Sequence, residues 1–151
     1  MANTQAMCTS FKGEILAGIH ALGTTVIRAG TGADTLKAAL YLASATVNAA
    51  TTAYSATGEV SGSGYSAGGI TITNATAPTT SGTTGYWTPS ANFTYTNVTL
   101  ATAFDAVLVY NSTQSNKAIS VHTFGSQTIT AGTFTLTMPT SDATNALIRI
   151  A

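Results

Sequence analysis

Residues 118–138 read AISVHTFGSQTITAGTFTLTM, and this stretch decides the fold. In its last six residues Phe134, Leu136 and Met138 alternate with Thr133, Thr135 and Thr137. A period of two sets the apolar side chains on one face and the hydroxyls on the other, the mark of a strand with one buried side. Ala118–Phe124 and Gln127–Thr130 carry the same β-branched and aromatic residues. Ala131-Gly132 reads as the turn of a hairpin, and Asn111–Asn116 as another.

Working outward, strand-forming runs recur at Ala106–Tyr110, Phe93–Thr99, Thr83–Thr88, Ile70–Asn74 and Leu147–Ile150, with Gly, Pro, Asn or Ser between them. Short strands at regular spacing predict a mostly all-β body, a β-sandwich or jelly roll. Thr35–Ala43 alternates Leu36, Ala38, Leu40 and Leu42 against more polar neighbours and is predicted as a strand, although Leu, Ala and Lys also suit a helix. Thr24–Ala29 reads as a short strand before a turn over Gly30–Asp34. Residues 44–69 are small and polar and predict a long loop centred on Gly58–Tyr65. A loop of that length in a compact domain is functional or ordered by a partner.

The N-terminal region breaks the pattern. Met7, Phe11, Ile15, Ile19 and Leu22 recur at helical spacing, with Asn3, Thr4 or Ser10 as N-cap candidates and Gly23 as a stop. The expected organisation is one domain over 1–151: an N-terminal helical arm (1–23) on a β body (24–151).

Composition narrows the function classes. Only 7% of the 151 residues are charged and the formal net charge is zero, against about 25% charged in an ordinary soluble domain. About a fifth of the chain is Thr. Lys12, Arg28, Lys37, Lys117 and Arg149 are scattered singly, so no nucleic-acid footprint is expected. No apolar run reaches membrane-spanning length, and the opening MANTQAMCTSF lacks the pattern of a signal peptide, which predicts synthesis in a cytoplasm. Cys8 is alone and reads as a small buried hydrophobe. Neutrality of this kind suits a chain covered by other protein.

Candidate chemistry is sparse. His20 and His122 have no ligand-spaced partner in the sequence. Glu14, Asp34, Glu59, Asp105 and Asp142 form no close pair, and Asp34 and Asp105 read as a turn residue and a strand entrance. No cofactor or metal is expected, and no enzymatic role. Trp87 with Tyr86 and Tyr95 is a candidate sugar-stacking platform, which leaves a carbohydrate-binding module as a rival reading. Sequons at Asn74, Asn92, Asn97 and Asn111 are discounted, because Ser and Thr are abundant enough to create them by chance.

Five runs taken together carry a resemblance: SFKGEILAGIHAL (10–22), TLKAALYLASATV (35–47), TTAYSATGEVSGSGYSAGGITITNAT (51–76), FDAVLVYNSTQSNKAISVHTFGSQTITAGTFTLTMP (104–139) and NALIRIA (145–151). This set resembles small virion structural proteins of tailed bacteriophages, most distinctively in TGEVSGSGY and LVYNSTQSNKAISVHTFG. The resemblance implies a virion component of the capsid cement or decoration type, on the outer capsid surface. Its implied partners are the major capsid protein and itself, as a dimer or trimer. A tail or neck protein is the alternative. It supplies no catalytic residues. The candidate interface is the helix face, Met7, Phe11, Ile15 and Ile19, with the loop residues Gly58, Glu59, Val60 and Tyr65; the competing reading of the helix face is packing on its own sheet.

Overall fold

The computed structural model describes residues 3–16, 18–20, 22, 33–73 and 76–151. In chain order the elements are β1 (Ala6–Met7), α1 (Thr9–Leu16), β2 (Leu36–Leu42), β3 (Ile70–Thr71), β4 (Thr79–Ser81), β5 (Thr84–Trp87), β6 (Phe93–Asn111), β7 (Lys117–Leu136) and β8 (Ile148–Ile150). The fold is mostly β, with two antiparallel sheets of order β1-β7-β6-β2-β3 and β4-β5-β8 and one short helix near the N-terminus. The strand predicted over Thr24–Ala29 lies outside the described residues.

One ribbon dominates. β6 and β7 are 19 and 20 residues long and pair from Asn111 opposite Lys117 to Phe93 opposite Leu136. They are joined by the expected turn, in which Ser115 and Asn116 take φ of 54° and 59°. Asn tolerates this left-handed region better than most residues. The predicted hairpin at Ala131-Gly132 does not exist. β7 runs through it, and Ala131 (φ 45°) sits where the register shifts between Val98/Gly132 and Leu100/Ile129. The small residues absorb a β-bulge instead of reversing the chain.

The ribbon folds back on itself. Phe134 pairs with Tyr95, yet its ring lies 5.0 Å from that of Phe104, edge to face. The Tyr95 hydroxyl donates to the carbonyl of Ala38, whose own strand partner is Val109. Register shifts between Val98 and Phe104 supply the bend. The two halves of one ribbon thereby form facing layers, and Phe93, Tyr95, Val98, Leu100, Phe104 and Phe134 are buried in one core cluster. β2 is buried along most of its length, as a strand covered on both faces should be.

The two sides of this sandwich differ. On the β2 side the chain closes itself. The Leu42 amide donates to Gly58 and the Val60 amide to the Leu40 carbonyl, and the Thr99 amide then donates to Ser63. Segment 58–63 therefore stitches β2 to the folded-back part of β6. Gly62 and Gly64 permit this approach, since a Cβ on either would collide with the carbonyl of Thr99 or Asn97. On the β7 side, β1 covers only Ser120 and Val121.

The helix is shorter than its apolar spacing predicts. Met7 belongs to β1, α1 ends at Leu16, and Gly18 follows with φ 68° and its amide on the Ile15 carbonyl, a C-terminal glycine stop. Ile19 and Leu22 therefore lie beyond the helix. Asn3 caps nothing: its side chain donates to Leu42 and Asp105 and accepts from Val47. Asp105 lies inside β6 and not at a strand entrance.

Candidate functional site

The expected loop over residues 44–69 contains the most organised polar cluster of the molecule. Glu59 bridges to Tyr41 at the edge of β2 and is 9% exposed. Its carboxylate accepts from the Tyr54 hydroxyl (2.6 Å), the Tyr65 hydroxyl (2.8 Å) and the Gly68 amide (2.7 Å). All three donors are neutral. Tyr65 in turn accepts from the Leu40 amide, Tyr41 donates to Ser55, and Tyr110 donates to the Gly68 carbonyl. Tyr54 stacks on Tyr110 with centroids 4.8 Å apart, and Tyr65 on Tyr95 at 6.0 Å. Burial, reinforced by the Glu59 charge, pushes Tyr41 up to about 12 and holds Tyr54, Tyr65, Tyr95 and Tyr110 above the ordinary phenol range. These phenols are locked donors, unsuited to proton transfer near neutrality.

The structure places the loop half of the candidate interface within this geometry. Glu59 and Val60 are buried, because they carry the stitch along β2. Gly58 and Tyr65 are half-buried in the same device. The helix half divides. Phe11 is fully buried, with its ring edge-on to His20 at 4.8 Å, so it packs on its own body. Met7, Ile15 and Ile19 are half-buried. Ile15 lines an apolar groove of about 270 Å³ with Leu22, Trp87, Ile148 and Ile150. Ile150, at 47%, is the one exposed large hydrophobic side chain among the described residues.

The second cavity, about 480 Å³, opens on the β7 side. Met7, Phe93, Val107, Phe124, Leu136 and Met138 form its apolar lining, and His122 and Arg149 are among its polar groups. The His122 Nε2 lies 2.8 Å from the Ser120 hydroxyl. Desolvation pushes His122 down to about 4, so the ring is neutral at pH 7. This pair is not a nucleophile and base. Ser120 is 1% exposed and does not line the cavity, so no substrate reaches its oxygen. His20 approaches the Asn111 amide, which also donates to Asp34 at 2.8 Å. Among the described residues no three of His, Cys, Asp or Glu gather as metal ligands.

Burial bears on the rival sugar-binding reading and on the discounted sequons. Trp87 is 1% exposed and Tyr95 3%, so the proposed sugar platform has lost two of its three ring faces to the core. Asn111 is fully buried and closed to glycosylation. Asn74 lies outside the described residues. Glu59 was missed as the organiser of its loop, although the sequence carries a signal: it is the only charged residue between Lys37 and Asp105, and tyrosines flank it.

Comparison of the chain with protein-family models, with curated proteins and with solved structures finds no match.

Proposed function

We propose that the chain is a non-enzymatic structural protein of a tailed-phage virion, a cement or decoration protein that binds the major capsid protein lattice and stabilises the mature head. One observation carries this reading: a well-packed β body whose outer surface is dressed with Thr, Ser, Ala and Gly in place of charge. Such a surface binds through apolar patches and hydroxyl or backbone hydrogen bonds, which survive salt better than exposed ion pairs. The polar clusters around Glu59 and Asn111 are spent on holding loops. A partner that binds only the assembled shell stabilises it by mass action. The groove between Ile15 and Ile150 is the candidate lattice contact.

The test is quantitative mass spectrometry of purified virions with heads and tails separated. Copies in lattice-scale number, confined to heads, are expected. A neck or tail protein would appear in a small symmetric number on the tail side, and absence from virions would overturn the reading.

A further inference from the structure

We infer that the outer edge of β7, from Phe124 to Leu136, is a two-fold self-association site that pairs antiparallel with the same edge of a second copy. Among the described residues this edge makes no hydrogen bond outside its own ribbon; the Ala131 amide donates to the Thr99 hydroxyl of β6 and the Gln127 side chain to the Gly125 carbonyl of β7. β1 stops at its partners Ser120 and Val121. The opposite side of the sandwich is closed by segment 58–63, so the two sides are not equivalent.

A bare edge is ordinarily defended by Lys, Glu or Pro. No Asp, Glu, Lys, Arg or Pro occurs between Lys117 and Met138. The His122 ring, which lies just before the edge, is neutral because of its burial. Arg149 lines the adjoining cavity with its guanidinium on the Ala143 carbonyl, and Asp142 is engaged by Asn145 and Thr140. The choice of a second copy over another partner follows from chemistry. Across a two-fold axis each residue near the axis meets its own kind, which repels for any charge. A threonine hydroxyl both donates and accepts, so it complements itself. The exposed residues of this edge include Thr128, Thr130, Thr133 and Thr135, while Phe134 and Leu136 point inward and fix which face is out. Pairing there also brings the partner strand across the mouth of the cavity lined by Phe124, Leu136 and Met138.

This inference specifies the self-association within the proposed function and does not depend on placement in a virion. The experiment is sedimentation velocity of the purified chain from micromolar to millimolar concentration, alongside Thr133→Lys and Thr135→Lys. The expected result is a monomer–dimer equilibrium whose dissociation constant rises about tenfold or more in each variant, with recovery at high salt. Circular dichroism checks that the variants fold. Hydrogen exchange on the unmodified chain gives an independent reading: amides of Phe124–Leu136 gain protection as concentration rises. A monomer at every concentration, a trimer, or a dimer indifferent to both substitutions and to edge protection overturns the inference. A monomer still found on heads would leave the virion reading standing.

Discussion

The Tyr65 hydroxyl stands between two elements of the sandwich, donating to the Glu59 carboxylate at 2.8 Å and accepting the Leu40 amide of β2 at 3.0 Å. A single phenol thus satisfies a backbone donor of β2 and a buried acid together. Replacing Glu59 by Gln keeps the shape but turns an amide NH2 toward donors. Glu59→Gln should cost about 1–3 kcal/mol, and Tyr54→Phe, which removes one donor, about 1 kcal/mol. Urea titration of the two single variants and the double variant measures this, and a coupling energy near zero would show that the bonds act separately.

Alkaline pH should act on the same cluster. Tyr41, Tyr54, Tyr65, Tyr95 and Tyr110 all have raised values in the folded state. The unfolded chain therefore releases protons first, and stability is full below the ordinary phenol value of about 10 and falls as pH rises beyond it. Tyrosinate absorbance should stay below the unfolded curve until the fold is lost, then rise in step with the circular dichroism change. Smooth titration of these phenols in the folded protein would contradict the burial described above.

His122 sets the acid limb. Its folded value is pushed down to about 4 from 6.5, so between these values the unfolded chain holds the extra proton. Stability contributed by the neutral ring is complete above pH 6.5 and is lost progressively toward pH 4, below which this group adds no further slope. The loss should be on the order of 1–3 kcal/mol. His122→Gln should flatten the dependence of Tm on pH across that window while leaving the alkaline limb unchanged.

Two glycines with similar backbone angles should behave differently. Gly69 (φ 72°) has its missing Cβ aimed into the carbonyl of Ala38, whereas a Cβ on Gly18 (φ 68°) meets nothing within 4 Å among the described residues. Gly69→Ala should cost about 3 kcal/mol or more, and Gly18→Ala only about 1 kcal/mol, which is the left-handed penalty alone. Thermal melts of the two variants settle the contrast.

Much of the sheet was legible because its signal is local. The alternation over Thr35–Ala43 and Thr133–Met138 marks strands, and strands lie there, as β2 and the end of β7; in β2 the second face is covered too, since Ala39 and Tyr41 are buried beside Ala38 and Leu40. The continuity of the ribbon was not legible. Gly132 reads as a turn in isolation, and only pairing with Val98 shows a bulge. The helix was overextended because Met7, Ile19 and Leu22 keep a helical spacing by coincidence, while backbone pairing to Ser120 claims Met7 for a strand. Trp87 and Tyr95 could be read either as core residues or as a sugar platform, because sequence reports residue type and not what lies above the ring. The Glu59 cluster joins Tyr54, Tyr65 and Gly68 through side chains, a pattern with no period to detect.

The long ribbon also has a kinetic meaning. Its register runs outward from the five-residue turn between Asn111 and Lys117, so zipping from that turn closes only a small additional loop with each new pair. The central pair of strands can therefore zip from a single local nucleus. β2 and the Glu59 stitch must dock from far along the chain, at greater entropic cost, onto a template that already exists. Asn116→Ala, at φ 59° in that turn, should slow refolding and leave the unfolding rate nearly unchanged in stopped-flow measurements, whereas Glu59→Gln should mainly hasten unfolding. The order of assembly is thus written into the topology, with the C-terminal part of the chain building the surface on which the N-terminal part settles.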